Sequence, residues 1–520
     1  MKNNIYTPHP TEHDLNKEYD FCIVGSGASG SIAAQELVKQ GFSVLMLERG
    51  PFVKDLSYND ILISSEPAYA RLENGAWGLV GYPWTTCNVG GGTVFYGGIS
   101  YRYKEIDFDT SNVLKSLDVD TKWPYTYSDL SPYYKQVEEK IGVSGSPQED
   151  PFCPSDHISY PYKQISYTDQ AQVLYNTSKR LGLKPFPTPL AILSQNTDSR
   201  KSCDNRTACI ENLCPTGAKG DGMMLINKIN NKQNFKLFAG LNVIKLKRSE
   251  SNSVSQILVQ SEIDNSIFYF KARTFLLACN AIQSARILLN SKDKWSVSGI
   301  GNDYDMVGRT FCQKLSGYVI GYLPNCKPSG IRKNNHGPFS TISYTDYYCS
   351  DEFPFNLGGI IYEAKYGFSF PDQTDGMIIR LECIISDVPD LKNRIRLNES
   401  DNKVIIDYMP HPLDIIRLQK LMKKAETILY SAGCENISTE SSGYGLGSCH
   451  LHGTCRFSKD EKAGVVDNNS KVHGIDNLYI IDGSFMPYPA SANPTLTIQA
   501  HALKIAKYLT ELNRKGNHVL

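Results

Sequence analysis

The spacing of apolar residues changes several times along the chain. Tyr19–Val24 is an almost unbroken apolar run, as expected of a strand covered on both faces. It passes into G-S-G-A-S-G (Gly25–Gly30), and helical spacing follows through Ala33 and Leu37 to a stop at Gly41. Val44–Leu47 is a second buried strand, ending on Glu48. Residues 51–80 keep no period and read as a loop with short helices. Residues 104–195 are rich in Pro, Tyr and Ser, with modest helical spacing at 129–141 and no evident chemistry. From residue 235 short strands dominate: Lys236–Ala239, Asn242–Leu246, Ser255–Gln260 and Ser266–Ala272 read as a β-meander. Thr274–Ala278 is then a buried strand, and C-N-A-I-Q-S-A-R-I-L-L-N-S turns into a helix that returns the chain to a parallel sheet.

Residues 306–412 alternate aromatic and polar positions, for example at Ser316–Tyr322, Gly358–Glu363 and Met377–Ile384, which predicts a separate, mostly antiparallel sheet. Residues 413–432 form an amphipathic helix with Leu413, Ile416, Leu418, Leu421 and Ala425 on its apolar side. A last strand, Leu478–Ile481, ends on Asp482-Gly483-Ser484. The helix that starts at Thr495 carries Leu496, Ala500, Leu503 and Ala506 on one face.

With 520 residues the chain has room for two to four domains. Lys plus Arg and Asp plus Glu both number 54, and no basic run stands out, so nucleic acid is not an expected partner. No apolar window approaches a membrane span, and the polar M-K-N-N-I-Y-T-P-H-P start lacks the apolar core of a secretory signal. The 14 cysteines are scattered through a large chain, which argues for reduced thiols and a cytoplasmic setting.

The first candidate site is the strand–glycine turn–helix–strand–acid unit. Gly25 permits the tight turn, Gly27 lets the backbone approach a pyrophosphate, and Gly30 lets helix and strand pack closely. Ser26 lies between the first two glycines. Helix N-terminal amides face the phosphates, and Glu48 can hold a ribose 2′-hydroxyl. An acid there disfavours NADP and leaves NAD and FAD open. A second glycine segment, Pro83–Gly98, holds Gly90, Gly91, Gly92 and Thr93. It reads either as backbone laid against a ligand or as a glycine-rich surface loop. Cys203, Cys209 and Cys214, the last followed by Pro, resemble iron–sulfur ligand spacing; the alternative is three reduced structural thiols. The stretch Gly447–Thr497 brings together His450 in a turn, Asp482 at a strand end and Asn493-Pro494-Thr495 at a helix start. Asn493 before Pro494 is also a favourable N-cap.

In their order these segments resemble the glucose–methanol–choline (GMC) family of FAD-dependent oxidoreductases. The matching segments are G-S-G-A-S-G with Glu48, G-G-G-T, C-P-T-G-A-K, A-C-N-A-I-Q-S-A-R-I-L-L, H-L-H-G-T-C-R and V-H-G-I-D-N-L-Y-I-I-D-G-S with N-P-T, spread over almost the whole chain. The resemblance implies an α/β fold with a discontinuous Rossmann-like FAD-binding domain (1–103, 200–305 and 440–520). It adds a substrate domain with a large antiparallel sheet (104–199 and 306–439). It also implies FAD rather than NAD. Gly25, Ser26, Gly27, Gly30 and Glu48 would hold its ADP part, with the Val243 backbone at the adenine. Gly90 to Thr93 would line the pyrophosphate and ring, with Asp482 and Gly483 at the ribityl–phosphate region. Pro494 and Thr495 would open a helix aimed at the flavin C2 oxygen. His450, in H-x-x-G-T, matches the histidine that takes the hydroxyl proton while hydride passes to flavin N5; Asn493 matches its hydrogen-bonding partner. His452, His473 and His501 are expected to be packing residues. The G-G-G-T-V-F-Y-G-G segment has Tyr96 and no histidine, so the flavin is expected to be noncovalent.

The expected reaction is oxidation of a primary or secondary alcohol to the carbonyl. The Tyr-rich, polar sheet and the sugar-oxidising branches of the family suggest a polyol, sugar or aminocyclitol-type substrate. Oxygen, a quinone or a redox protein is the expected electron acceptor. The rival readings are an iron–sulfur sugar dehydrogenase subunit that passes electrons to a partner, a non-redox hydroxynitrile-lyase-like enzyme on the same fold, and an NAD enzyme.

Overall fold

The computed structural model describes residues 9–53, 68–71, 77–80, 85–117, 119–210, 213–326, 337–365, 375–441 and 449–514. Its first sheet is built on the Glu18–Val24 strand, whose Phe21, Cys22 and Ile23 are fully buried. Parallel neighbours flank it: Val44–Glu48 and then Phe235–Ala239 on one side, Ile267–Leu277 and then Leu478–Ile480 on the other. Helices Ala28–Lys39 and Thr495–Arg514 pack together on this sheet. Cover on both faces is what allows such continuous apolar runs.

Two expectations shift here. Lys236–Ala239 belongs to the edge of the parallel sheet, not to the meander. Ser266–Ala272 and Thr274–Ala278 are not two strands; most of both runs forms the single strand Ile267–Leu277. Its first half pairs antiparallel with Ser253–Ser261, and its second half sits in the parallel sheet. Burial alternates in the first half and is continuous in the second, so one strand shows both strand patterns.

The second sheet is antiparallel, in the order Glu435–Ser441, Leu315–Pro324, Gly376–Ile385, Gly359–Glu363, Ile342–Tyr344, Phe186–Pro187. Helix Pro412–Ser431 packs behind it through Leu418, Leu421, Ala425, Ile428 and Leu429. The face is rotated from the expected one. Ile416 is exposed, while Asp414 and Arg417 are buried as an ion pair at 2.7 Å. A smaller sheet joins Arg394–Leu397 and Val404–Asp407 to Ala68–Arg71 and Trp77–Val80, inside the stretch expected to be loop and short helices. Residues 54–67 and 72–76 of that stretch lie outside the described residues. Helix Tyr127–Ile141 leans on the C-terminal helix, with the Tyr134 and Thr497 hydroxyls 2.7 Å apart. Among the described residues no helix is long and apolar enough to cross a membrane.

Candidate active site

A cavity of about 1060 Å³ runs from the end of the parallel sheet to the face of the antiparallel one. At the first end Gly25 turns with φ +95°, and a side chain there would lie 2.6 Å from the Ala278 carbonyl oxygen. At Gly30 it would lie 2.0 Å from the Gly25 carbonyl oxygen, so these glycines are fixed by close approach of backbone. Glu48 accepts from the Ser26 amide (3.0 Å) and hydroxyl (2.6 Å) and from the Gly50 amide (2.8 Å). Burial pushes its carboxyl upward in pKa while these bonds oppose the shift. The Gly90 amide donates to the Ser26 hydroxyl at 3.0 Å, which links the two glycine segments. A side chain on Gly91 would meet Gly27 Cα at 2.7 Å, so the segments face each other across a gap shaped for backbone alone.

Gly25, Ser26, Gly27 and Glu48 line the cavity, as do Gly91, Gly92 and Thr93. Gly30 and Gly90 buttress it from behind. Val243 lines it next to Asn242, and its carbonyl accepts from Arg286 at 3.1 Å. Thr86 Oγ1 and Asn88 Oδ1, buried on the same wall, have no partner within the protein. Asp482 is held by the hydroxyls of Ser284 and Ser484 and sits with Gly483 where the parallel sheet ends.

At the far end His450 Nε2 and Asn493 Nδ2 are 3.2 Å apart. Burial, and next the charge of Lys314, hold the imidazole well below its usual pKa, so it is neutral and able to accept a proton. Asn493 Oδ1 has no protein partner. Its side chain therefore does not cap the Thr495–Arg514 helix and lines the cavity, while the backbone of Asn493 leads into the helix start. Pro494 and Thr495 line the cavity at the start of that helix. His452 is fully buried behind the cavity with neither ring nitrogen bonded, His473 faces the Ser458 carbonyl at 2.9 Å, and His501 stacks on Phe485 at 3.6 Å. Gly447, Pro83 and Trp84 lie outside the described residues.

Sequence reading missed the opposite wall. Register places Tyr318, Glu382 and Tyr362 side by side on three neighbouring strands. The Tyr318 hydroxyl donates to Glu382 at 3.1 Å, and the Arg380 guanidinium lies 3.5 Å from the centre of the Tyr318 ring. The available signal was Arg380 and Glu382 at i and i+2, two charges on one face of an otherwise apolar strand.

The three cysteines are elsewhere. They border a void of about 10 Å³, room for one water at most and far too small for an iron–sulfur cluster. The Lys219 ammonium closes this region by donating to the Cys209 (2.6 Å) and Val94 (2.7 Å) carbonyls. Among the described residues no His, Cys, Asp or Glu group is arranged to hold a metal ion. Of the two readings of this spacing, the iron–sulfur cluster is not supported and free thiols fit. Analysis of the purified protein is expected to find no stoichiometric iron or acid-labile sulfide.

Comparison with known proteins points the same way. Residues 389–502 match the family model described as GMC oxidoreductase, and residues 23–53 match an NAD(P)-binding Rossmann-like domain. The chain is 41% identical over 501 residues to 6'''-hydroxyparomomycin C oxidase of Streptomyces lividus, spanning 95% of this chain and 91% of the relative. It is 40% identical over 503 residues to paromamine 6'-oxidase of Streptomyces fradiae, spanning 95% and 92%. The chain belongs to the GMC oxidoreductase family. Among solved structures the same fold appears in pyridoxine 4-oxidase from Mesorbium loti (TM-score 0.67, 19% identity, 95% of this chain and 99% of that one). It appears also in formate oxidase of Aspergillus oryzae (TM-score 0.72, 15% identity, 96% and 99%). GMC membership makes this chain an oxidoreductase acting on CH–OH groups and implies FAD. The cavity of this GMC protein suits that group: a backbone-lined gap, two unpartnered buried polar atoms, and an acid at the end of the second strand.

Proposed function

We propose that this protein oxidises the alcohol of an aminocyclitol-type substrate, of the paromamine class, to the carbonyl. His450 takes the hydroxyl proton at Nε2, and Asn493 Nδ2 donates to the substrate oxygen. The observation that carries the reading is the 3.2 Å pairing of His450 with Asn493 at one end of a cavity whose other end holds Glu48 and the glycine gap. An imidazole kept neutral by burial is ready to accept a proton, and an amide donor steadies the developing alkoxide without competing for it. Bound FAD supplies a two-electron acceptor. Gly25, Ser26, Gly27, Gly30 and Glu48 would hold its ADP end and Val243 its adenine. Gly90 to Thr93 would hold the pyrophosphate, and Asp482, Gly483, Pro494 and Thr495 the flavin end. We place residues 1–103, 200–305 and 440–520 in the FAD-binding part and the remainder in the substrate part.

The substrate class rests on two relatives that are about 40% identical and named as oxidases of paromamine-type compounds. It rests also on the polar Tyr318–Glu382–Tyr362 wall. Their names favour oxygen as the acceptor. The test is to incubate the holoenzyme with paromamine in air. A product two hydrogens lighter, formed with hydrogen peroxide, is expected. No bleaching of the flavin by paromamine under anaerobic conditions would exclude the substrate. A released cofactor other than FAD would exclude the cofactor assignment.

Glu382 gives a sharper expectation. A buried carboxylate facing the cavity is suited to a substrate ammonium, and a hydrogen bond to a charged group contributes about 1.5–3 kcal/mol. Glu382→Gln is expected to raise KM for paromamine about tenfold or more, with a smaller change for an alcohol that lacks amines. Equal changes for both substrates would remove Glu382 from amine recognition.

A further inference from the structure

The segment Thr310–Lys314 crosses behind the reactive end and touches both loops that form it. Cys312 and His452 exchange backbone hydrogen bonds at 3.1 and 2.8 Å, and the Thr310 hydroxyl donates to the Gly453 carbonyl at 2.9 Å. These contacts hold the turn that carries His450. At the other end Lys314, 1% exposed, donates from Nζ to the carbonyl of Ala492, the residue before Asn493. Thr310 and Lys314 both keep left-handed backbone, φ 58° and 68°. A side-chain-bearing residue holds that conformation only where its surroundings impose it. Packing alone would be met at lower cost by an apolar side chain, since a buried ammonium loses its hydration.

We propose that Lys314 is a positioning residue: it ties the histidine turn to the Asn493 loop and places a cation behind the His450 imidazole that opposes protonation of the base. The proposal rests on the reading of His450 as base. Asp107, Asp387 and Cys449 act electrostatically on the ammonium, which acts in turn on His450 and His452, and its Nζ lies 5.7 Å from the centre of the Tyr103 ring. The Lys314 backbone amide also bonds the Asp387 carboxyl. Burial pulls the ammonium down to about 7 against the pull of Asp107 and Asp387. Burial also pushes Asp387 up to about 7 and Asp107 up to about 6. Protons are therefore shared within one cluster near neutrality. As pH falls through this range the cluster gains positive charge, which lowers the proton affinity of His450 where its protonation would stop the reaction.

Without the cation the imidazole binds protons more readily, so the acid limb of the kcat/KM profile moves to higher pH. The folded ammonium titrates below its ordinary 10.5, so the unfolded chain binds more protons between about pH 7 and 10. Lys314 therefore makes stability rise with pH across that window.

Two variants of the holoenzyme separate the two roles. Lys314→Gln keeps a donor toward the Ala492 carbonyl without the charge; Lys314→Met removes both. Both are expected to move the acid limb of paromamine oxidation up by about one pH unit. Only Lys314→Met is expected to lower the plateau kcat, by about tenfold, with KM within about threefold of wild type. Both should flatten the rise of melting temperature between about pH 7 and 10, a readout independent of turnover. If Lys314→Met does not accumulate as holoenzyme, Lys314→Gln decides. Acid limbs that coincide with wild type, or unchanged melting profiles, would overturn the proposal. His450→Ala measured alongside tells the two failures apart: if it retains turnover, the base assignment falls and this proposal with it; if it is inactive while the Lys314 variants match wild type, the lysine proposal alone fails.

Discussion

His450→Gln is expected to lower kcat by about 10³ while FAD stays bound at wild-type stoichiometry. Glutamine can keep a hydrogen bond to Asn493, which lies 3.2 Å from the imidazole, but it cannot take a hydroxyl proton at neutral pH. The loss should sit in kcat and kcat/KM together, because the missing interaction belongs to the transition state. Anaerobic mixing with paromamine, followed by flavin absorbance, measures the step directly. A bleaching rate within tenfold of wild type would place the base elsewhere. His452 would then be next to examine, since neither of its ring nitrogens is bonded; a substrate would have to reach it behind the cavity wall.

The second large effect concerns stability. Arg417→Met is expected to destabilise the protein by about 3–5 kcal/mol, because it leaves Asp414 buried without its counter-charge. The guanidinium donates to Asp414 at 2.7 Å, to the Leu357 carbonyl at 2.6 Å and to the Ser386 carbonyl at 2.9 Å. It therefore joins the helix Pro412–Ser431 to the ends of two strands of the antiparallel sheet. The double variant Arg417→Met, Asp414→Leu removes both charges and should recover a large part of the loss. Chemical denaturation of the holoenzymes measures both. A single variant within about 1 kcal/mol of wild type would mean that water or a rearranged neighbour takes over from the arginine.

What could be read from the chain follows the range of the forces involved. The first glycine unit was legible because its strand, turn, helix and acid are local, and Gly25 and Gly30 are set by contacts within the unit or one strand away. His450 and Asn493 stood out because short motifs surround them, and the fold sets them 3.2 Å apart. The Tyr318–Glu382–Tyr362 row was not, since it exists only through the register of three strands. Nor was the pairing of Asp414 with Arg417, because a charged residue on an amphipathic helix ordinarily faces water. The cysteine spacing left cluster and thiols open because ligand spacing says nothing of the room between the thiols, and here a lysine closes the space.

The strand Ile267–Leu277 has a bearing on how the protein is made. Its second half is one side of a ladder completed by Leu478–Ile480, and Ser284 just beyond it waits for Asp482, 198 residues on. At about 5–20 residues per second the ribosome leaves that edge unpaired for roughly 10–40 s. Biogenesis of this enzyme should therefore depend on a holding chaperone or on late FAD capture, and nascent chains that stop before residue 478 should aggregate.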